Sequence, residues 1–87
     1  MLYLMARHKL ADFDRWSAVF RSHADAQRKA GLHLLFVLRE IGAPDNIVAL
    51  FKVDDLEKAK AFTSAPGAQD AAGQAGVISV QMSYWSD

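Results

Sequence analysis

The chain opens on an alternating run. In Met1–Leu10, Leu2, Leu4, Ala6, His8 and Leu10 share one face, and Tyr3, Met5, Arg7 and Lys9 share the other. That two-residue period is a β-strand. Both faces are apolar in its first half, which predicts cover on both sides. The period then changes. From Phe13 the stripe steps by three or four through Trp16 and Phe20 to His23 or Ala24 and Gln27, while Arg15, Arg21, Asp25, Arg28 and Lys29 fall off it. This is one amphipathic helix. Asp12 is its N-cap, and Gly31, followed by Leu32, is its closing residue. His33–Ile41 and Ile47–Val53 are β-rich runs flanking the turn-forming string Gly42-Ala43-Pro44-Asp45-Asn46. They predict an antiparallel hairpin with a five-residue turn. Asp54-Asp55-Leu56-Glu57 has the spacing of a capping box, with Asp54 opening the helix and Glu57 at N3. Leu56, Ala59 and Phe62 or Thr63 form its apolar stripe. Pro66 starts a further helical turn. That turn lacks large apolar groups and carries Gly67 and Gly73, so it is expected to be short and mobile. After Gly76, Val77–Trp85 is a fourth strand with Ile78, Val80, Met82 and Tyr84 on one face.

The order β-α-β-β-α-β predicts one α+β domain over residues 1–87 with the ferredoxin-like plan. It is a four-stranded antiparallel sheet with helices on one face and right-handed crossovers. Phe13, Trp16, Phe20, Leu56 and Phe62 face the sheet from the helices. The other sheet face has no cover within the chain. Composition sharpens this point. Of 87 residues, 52% are apolar, yet a domain this small buries only about 60% of the surface its unfolded chain exposes. The surplus is expected on the uncovered face, with a second copy as its partner. Tyr3, Tyr84 and Trp85 are the expected aromatic contacts of that homodimer interface.

Charge removes several classes. Ten basic residues balance ten acidic ones, so there is no basic footprint for nucleic acid and no polybasic run for a membrane surface. With no Cys, disulfides and thiolate sites are excluded. No apolar stretch approaches the roughly 20 residues of a membrane span. No apolar core follows a basic start, so the expected location is cytoplasmic.

The strings DFDRWSAVFRSHADAQRKAGL, VDDLEKAKAFTSAP and QAGV resemble those of the small dimeric α/β-barrel proteins. Phe13, Trp16, Phe20, Gly31, Asp55, Ala59, Phe62, Pro66, Ala75 and Gly76 carry the resemblance, which spans nearly the whole chain. It implies a ferredoxin-like fold whose sheets close into a barrel in a dimer. The family includes quinone-forming monooxygenases, haem-degrading enzymes, polyketide cyclases and stress-responsive proteins. The oxygenases and haem-degrading members use an Asn, Trp and His set. Here the sole Asn, Asn46, lies in the hairpin, and the second helix has neither Trp nor His. The resemblance therefore carries the fold and not that set.

The residues that carry chemistry are few. His23 lies on the apolar stripe one turn beyond Phe20, as a pocket base, a haem ligand or a partly buried His bonded locally. If the Leu4 face looks toward the helices, His8 and His23 converge in one helix–sheet cleft and can do acid–base work near neutral pH. Otherwise His8 only marks a strand end. His33 reads as a solvated strand-end residue. Trp16, Phe20 and Phe62 are the expected walls of a ligand pocket, with Trp16 chiefly core. Arg39 is expected in a strand-end ion pair. No metal-ligand spacing, glycine-rich phosphate loop or nucleophile elbow is present, so no metal or cofactor is expected. The leading expectation is a homodimeric binding or structural domain with a cleft for a small apolar or aromatic ligand. The alternatives are a cofactor-independent cyclase or monooxygenase-like enzyme with His23 and His8 as its catalytic pair, and a haem binder.

Overall fold

A computed structural model describes all residues, 1–87. The elements run β1 (Leu2–Leu10), α1 (Phe13–Ser22), α2 (Ala24–Lys29), β2 (Leu32–Glu40), β3 (Ala43–Val53), α3 (Leu56–Ser64), α4 (Pro66–Gln74) and β4 (Val77–Ser86). The four strands form one sheet in the order β2-β3-β1-β4, and every pairing is antiparallel. This is the ferredoxin-like α+β fold. No helix is long and apolar enough to cross a membrane.

The register shows why the core sits where it does. Leu4 faces Phe51 and Ala6 faces Ala49 across β1 and β3. These four residues are buried together with Leu32, Val53 and Ala59, and Phe20 and Phe62 pack against them from the helices. A second cluster of Leu10, Trp16, Ile47 and Ala75 closes the end of the sheet nearer the hairpin. Ala49 and Ala59 are fully buried, so small side chains bring α3 close to the central strands.

Several local readings change. The first helix is two. In a continuous helix the His23 N–H would reach the Val19 carbonyl. Instead it bonds Phe20 at 3.1 Å, and Val19 accepts from the Ser22 hydroxyl at 2.6 Å. A Ser hydroxyl competing for a helix carbonyl bends the chain. The hairpin turn is also shorter than five residues. Glu40 pairs with Ala43, leaving only Ile41 and Gly42, and Gly42 supplies the one positive φ, +85°. Ala43–Asn46 thus belongs to β3. The second helix starts one residue later than the capping-box spacing predicts. Asp55 is the N-cap and accepts from the Lys58 N–H at 3.1 Å. Asp54 is committed elsewhere, its N–H to the Gly31 carbonyl and its carboxylate to His33 at 2.6 Å. The segment after Pro66 is a nine-residue helix.

The face of β1 away from the helices is uncovered within the chain, contrary to the two-sided reading of that strand. Its residues segregate. Tyr3, Met5, Leu50, Phe36 and Trp85, with Lys52 and Ser83 among them, make a mainly apolar end, whereas Arg7, Lys9, Asn46, Ser79 and Gln81, beside Val48 and Leu38, make a mainly polar end. Tyr84 is not on this face. It stands opposite Leu4 on the helix side, because it is one residue out of phase with Trp85. The apolar surplus is accordingly divided. Phe36, Leu38 and Trp85 are exposed on the open face, and Val80 and Met82 are exposed at the β4 edge on the helix side.

Candidate functional site

The helices do not fill all the space above the sheet. A cleft of about 130 Å³ remains between them. Its floor is Leu4, Ala6 and Phe51, and Phe20 and Phe62 stand as its walls. Ala68, Ala71 and Ala72 of α4 form a third side. A helix with larger residues at those positions would occupy the space, so the small-residue composition of α4 creates the cleft. Val80 and Met82 line its β4 side, which accounts for apolar residues left exposed at that edge. Tyr84 flanks it. The Thr63 hydroxyl donates to the Ala59 carbonyl at 3.1 Å and meets the Tyr84 hydroxyl at 3.2 Å, so Tyr84 is the donor of that pair.

His8 and His23 both line this cleft. Strand alternation brings His8 there, opposite Ile47 on β3 and Val80 on β4. Its Nδ1 is the one buried side-chain nitrogen or oxygen in the protein without a hydrogen-bond partner. Burial lowers its pKa below the ordinary imidazole value, and the Arg7 backbone opposes this without completing a bond. The ring is therefore neutral around pH 7. A buried polar atom left unsatisfied costs about 1–3 kcal/mol, so a ligand that bonds it recovers part of that cost.

His23 is placed by the break between α1 and α2. Its Nδ1 lies 2.9 Å from the Val19 carbonyl and 3.0 Å from the Ser22 hydroxyl. A carbonyl only accepts, so Nδ1 carries a proton. The two imidazoles thus differ. One is locally satisfied, and the other is not.

The remaining residues fall into place by contact. Phe20 and Phe62 line the cleft as expected. Trp16 does not. It is 4% exposed and stands behind the wall, stacked on Phe20 at 4.6 Å and edge-on to His8. Arg39 forms no ion pair. Its guanidinium lies 4.0 Å over the Phe13 ring and donates to the Pro44 carbonyl at 3.0 Å, a cation–π placement set by its position on the helix side of β2. His33 bonds Asp54 outside the cleft. Sequence reasoning missed the contribution of Ala68, Ala71, Ala72, Val80 and Met82. The missing bulk of the Pro66–Ala75 segment was the signal available. No group of three or more His, Asp or Glu is placed to hold a metal ion.

No family model matches the chain, and no curated protein matches it. Solved structures do. A Bordetella bronchiseptica protein, provisionally named an antibiotic biosynthesis monooxygenase, superposes with a TM-score of 0.78 at 13% identity over 99% of this chain and 95% of that one. A Deinococcus radiodurans protein with the same provisional name gives 0.70 at 16% identity, over 100% and 92%. SnoaB, a cofactor-independent oxygenase from Streptomyces nogalater, gives 0.75 at 13% identity, over 99% and 91%. The chain shares their fold. At these identities the likeness is one of architecture, in keeping with the monooxygenase-like ferredoxin fold that the sequence resembles.

Proposed function

We propose that this chain binds a small apolar or aromatic ligand in the helix–sheet cleft, with His8 as the polar group that fixes it. The observation that carries this reading is that His8, which lines a cleft whose other walls are mainly apolar, has a buried Nδ1 with no partner. Ligand sites combine apolar walls with a few placed polar groups in this way. The volume sets the ligand's size. An engineered cavity of roughly 150 Å³ takes benzene, so about 130 Å³ suits a single ring. A cleft of this size favours a single ring over haem, since cofactor pockets run to about 300 Å³ or more. Phenol and toluene test the role of His8, being alike in size and differing in one hydroxyl. Phenol is expected to bind about tenfold more tightly, and His8→Phe to erase that preference. Equal affinities for the wild-type protein would sink the proposal.

A second reading is an enzyme of the cofactor-independent oxygenase kind. It is supported by the neutral imidazole in the cleft and by a fold shared with SnoaB. In that reading His8 takes a proton from the bound aromatic, with His23 beside it as a second acid–base group. The ligand anion itself then reacts with dioxygen. Oxygen uptake with acidic aromatic hydroxyl compounds, lost in both His8→Phe and His23→Ala, supports it. Unchanged uptake in both variants would remove it.

We further infer that two copies pair through the apolar end of the open sheet face. Phe36 and Trp85 are more than half exposed there, beside Tyr3, Met5 and Leu50. A protein that stays monomeric in light scattering at micromolar concentration would contradict this.

A further inference from the structure

The alternation that builds the core also builds a different surface behind it. Arg7 and Lys9 stand two residues apart on β1, on the face away from the helices. The direct cross-strand neighbours of Arg7 are Val48 and Gln81, and those of Lys9 are Asn46 and Ser79. Together with Leu38 and Glu40 of β2 they line an open basin of about 380 Å³. The sheet lies between this basin and the helix–sheet cleft.

The charge in the basin is unbalanced. The three ion pairs of the protein join the N-terminus to Asp87, Arg28 to Asp25 and His33 to Asp54. Arg7 and Lys9 take part in none of them, and Glu40 shares the basin without pairing to either. Lysines and arginines are common on edge strands, where they block unwanted pairing. That explanation fails here, because β1 lies between β3 and β4. Two free cations in mid-sheet are surrounded by two side-chain amides and a hydroxyl, all able to donate. A guanidinium beside an ammonium is a good receptor for an oxyanion, which takes the Arg fork bidentately. Leu38 and Val48 supply an apolar wall next to the cations, continuous with Phe36 and Leu50.

We propose that the basin binds a small organic oxyanion, a carboxylate or phosphate carried on an apolar or aromatic body. The head group lies between Arg7 and Lys9, and the body rests toward Leu38 and Val48. His8 borders both the basin and the cleft, but the charged groups of this site, Arg7 and Lys9, line the basin alone.

The test is a titration with naphthyl phosphate and naphthoate, followed through backbone amide shifts, with naphthol and inorganic phosphate as separate arms. Both naphthyl anions are expected to move the amides of Arg7, Lys9, Asn46 and Gln81. The tighter of the two identifies the head group. Naphthol and phosphate alone are expected to bind about tenfold more weakly or worse. The double variant R7Q/K9Q should lose about tenfold or more in affinity, and added salt should weaken wild-type binding. Glu40→Gln removes the one acid of the basin and should tighten binding, which tests the site even if the double variant misfolds. Three results would overturn the proposal. One is shifts confined to Phe20, Phe62 and Ala72 on the helix side. Another is naphthol binding as tightly as the anions. The third is basin amides that no anion moves, as expected if a second copy of the chain covers them.

Discussion

His8 lies edge-on to Trp16, with ring centroids 6.2 Å apart and planes inclined by 66°. Trp16 is itself buried and stacked on Phe20, so the imidazole packs against a buried indole. This packing gives a pH signature. Burial lowers the His8 pKa in the folded protein, while the unfolded chain titrates near the ordinary value of about 6.5. Between those two values the unfolded state holds more protons, so stability rises with pH. The contribution is complete above about pH 6.5 and is lost as pH falls through the folded value. Denaturant midpoints should drop on acidification from neutral pH, and less so in His8→Phe. Proton NMR should place the imidazole titration below the ordinary value. A His8 midpoint at or above it would contradict the packing argument.

Asp54 makes a linkage of the same sign by a different cause. Its carboxyl is held below the ordinary aspartate value, first by the hydrogen bond from His33. Desolvation opposes this, and the charges of His33, Lys52 and Lys58 reinforce the lowering. A lowered carboxyl pKa contributes stability above the unfolded value, and that stability is lost as pH falls through the folded one. The pair is exposed, so the effect is small. Asp54→Asn should narrow the difference in stability between neutral pH and about pH 3, measured by chemical unfolding at both. The same variant should leave the start of α3 intact.

The cap of α3 belongs to Asp55. Asp55→Ala should cost about 1 kcal/mol, read from urea unfolding, because it strands the Lys58 N–H. An equal loss from the Asp54 and Asp55 variants at neutral pH would argue for a shared cap instead. The shift by one residue illustrates what was legible in the sequence. The helix start was plain from an acidic pair before Leu56. Which Asp caps was not, because the choice depends on Gly31 and His33, more than twenty residues away. The same distinction runs through the fold. Strand faces in β1 and the Asp12 cap are local patterns, and they read correctly. The two-residue turn at Gly42 was hidden by Pro44, Asp45 and Asn46, which look like turn residues and lie in β3. The α1–α2 break was hidden because Ser22 and His23 compete with the backbone for Val19 only once the helix has formed. The convergence of His8 and His23 followed from strand phase and helix stripe together. The unpartnered Nδ1 and the retreat of Trp16 behind Phe20 did not, since both depend on how side chains pack.

Gly31 joins α2 to β2 at φ +77°, where a side chain meets both backbone strain and a neighbour. A Cβ there would lie 3.2 Å from the Asp54 Cβ. Gly31→Ala should therefore destabilise by about 1–2 kcal/mol, with a lower urea midpoint and an unchanged slope. A neutral effect would mean that the loop relaxes freely, and that Asp54 is not held against it.

The cleft exists because α4 presents alanines to it, and this can be reversed at one position. Ala72 is half-buried on the cleft side of α4. A leucine there adds three carbons, which occupy much of a space of about 130 Å³ without burying a polar group. Leucine is nearly as good a helix former as alanine, so Ala72→Leu should keep α4 and, by burying more apolar surface, leave stability equal or slightly raised. Ligand binding should fall by about tenfold or more. His8→Phe, in contrast, should remove the preference for phenol over toluene while leaving the cleft open. The two variants separate room from polarity. If Ala72→Leu bound phenol and toluene as tightly as the wild type, the ligand would lie elsewhere, and the vacant Nδ1 of His8 would be a packing defect with no partner to find.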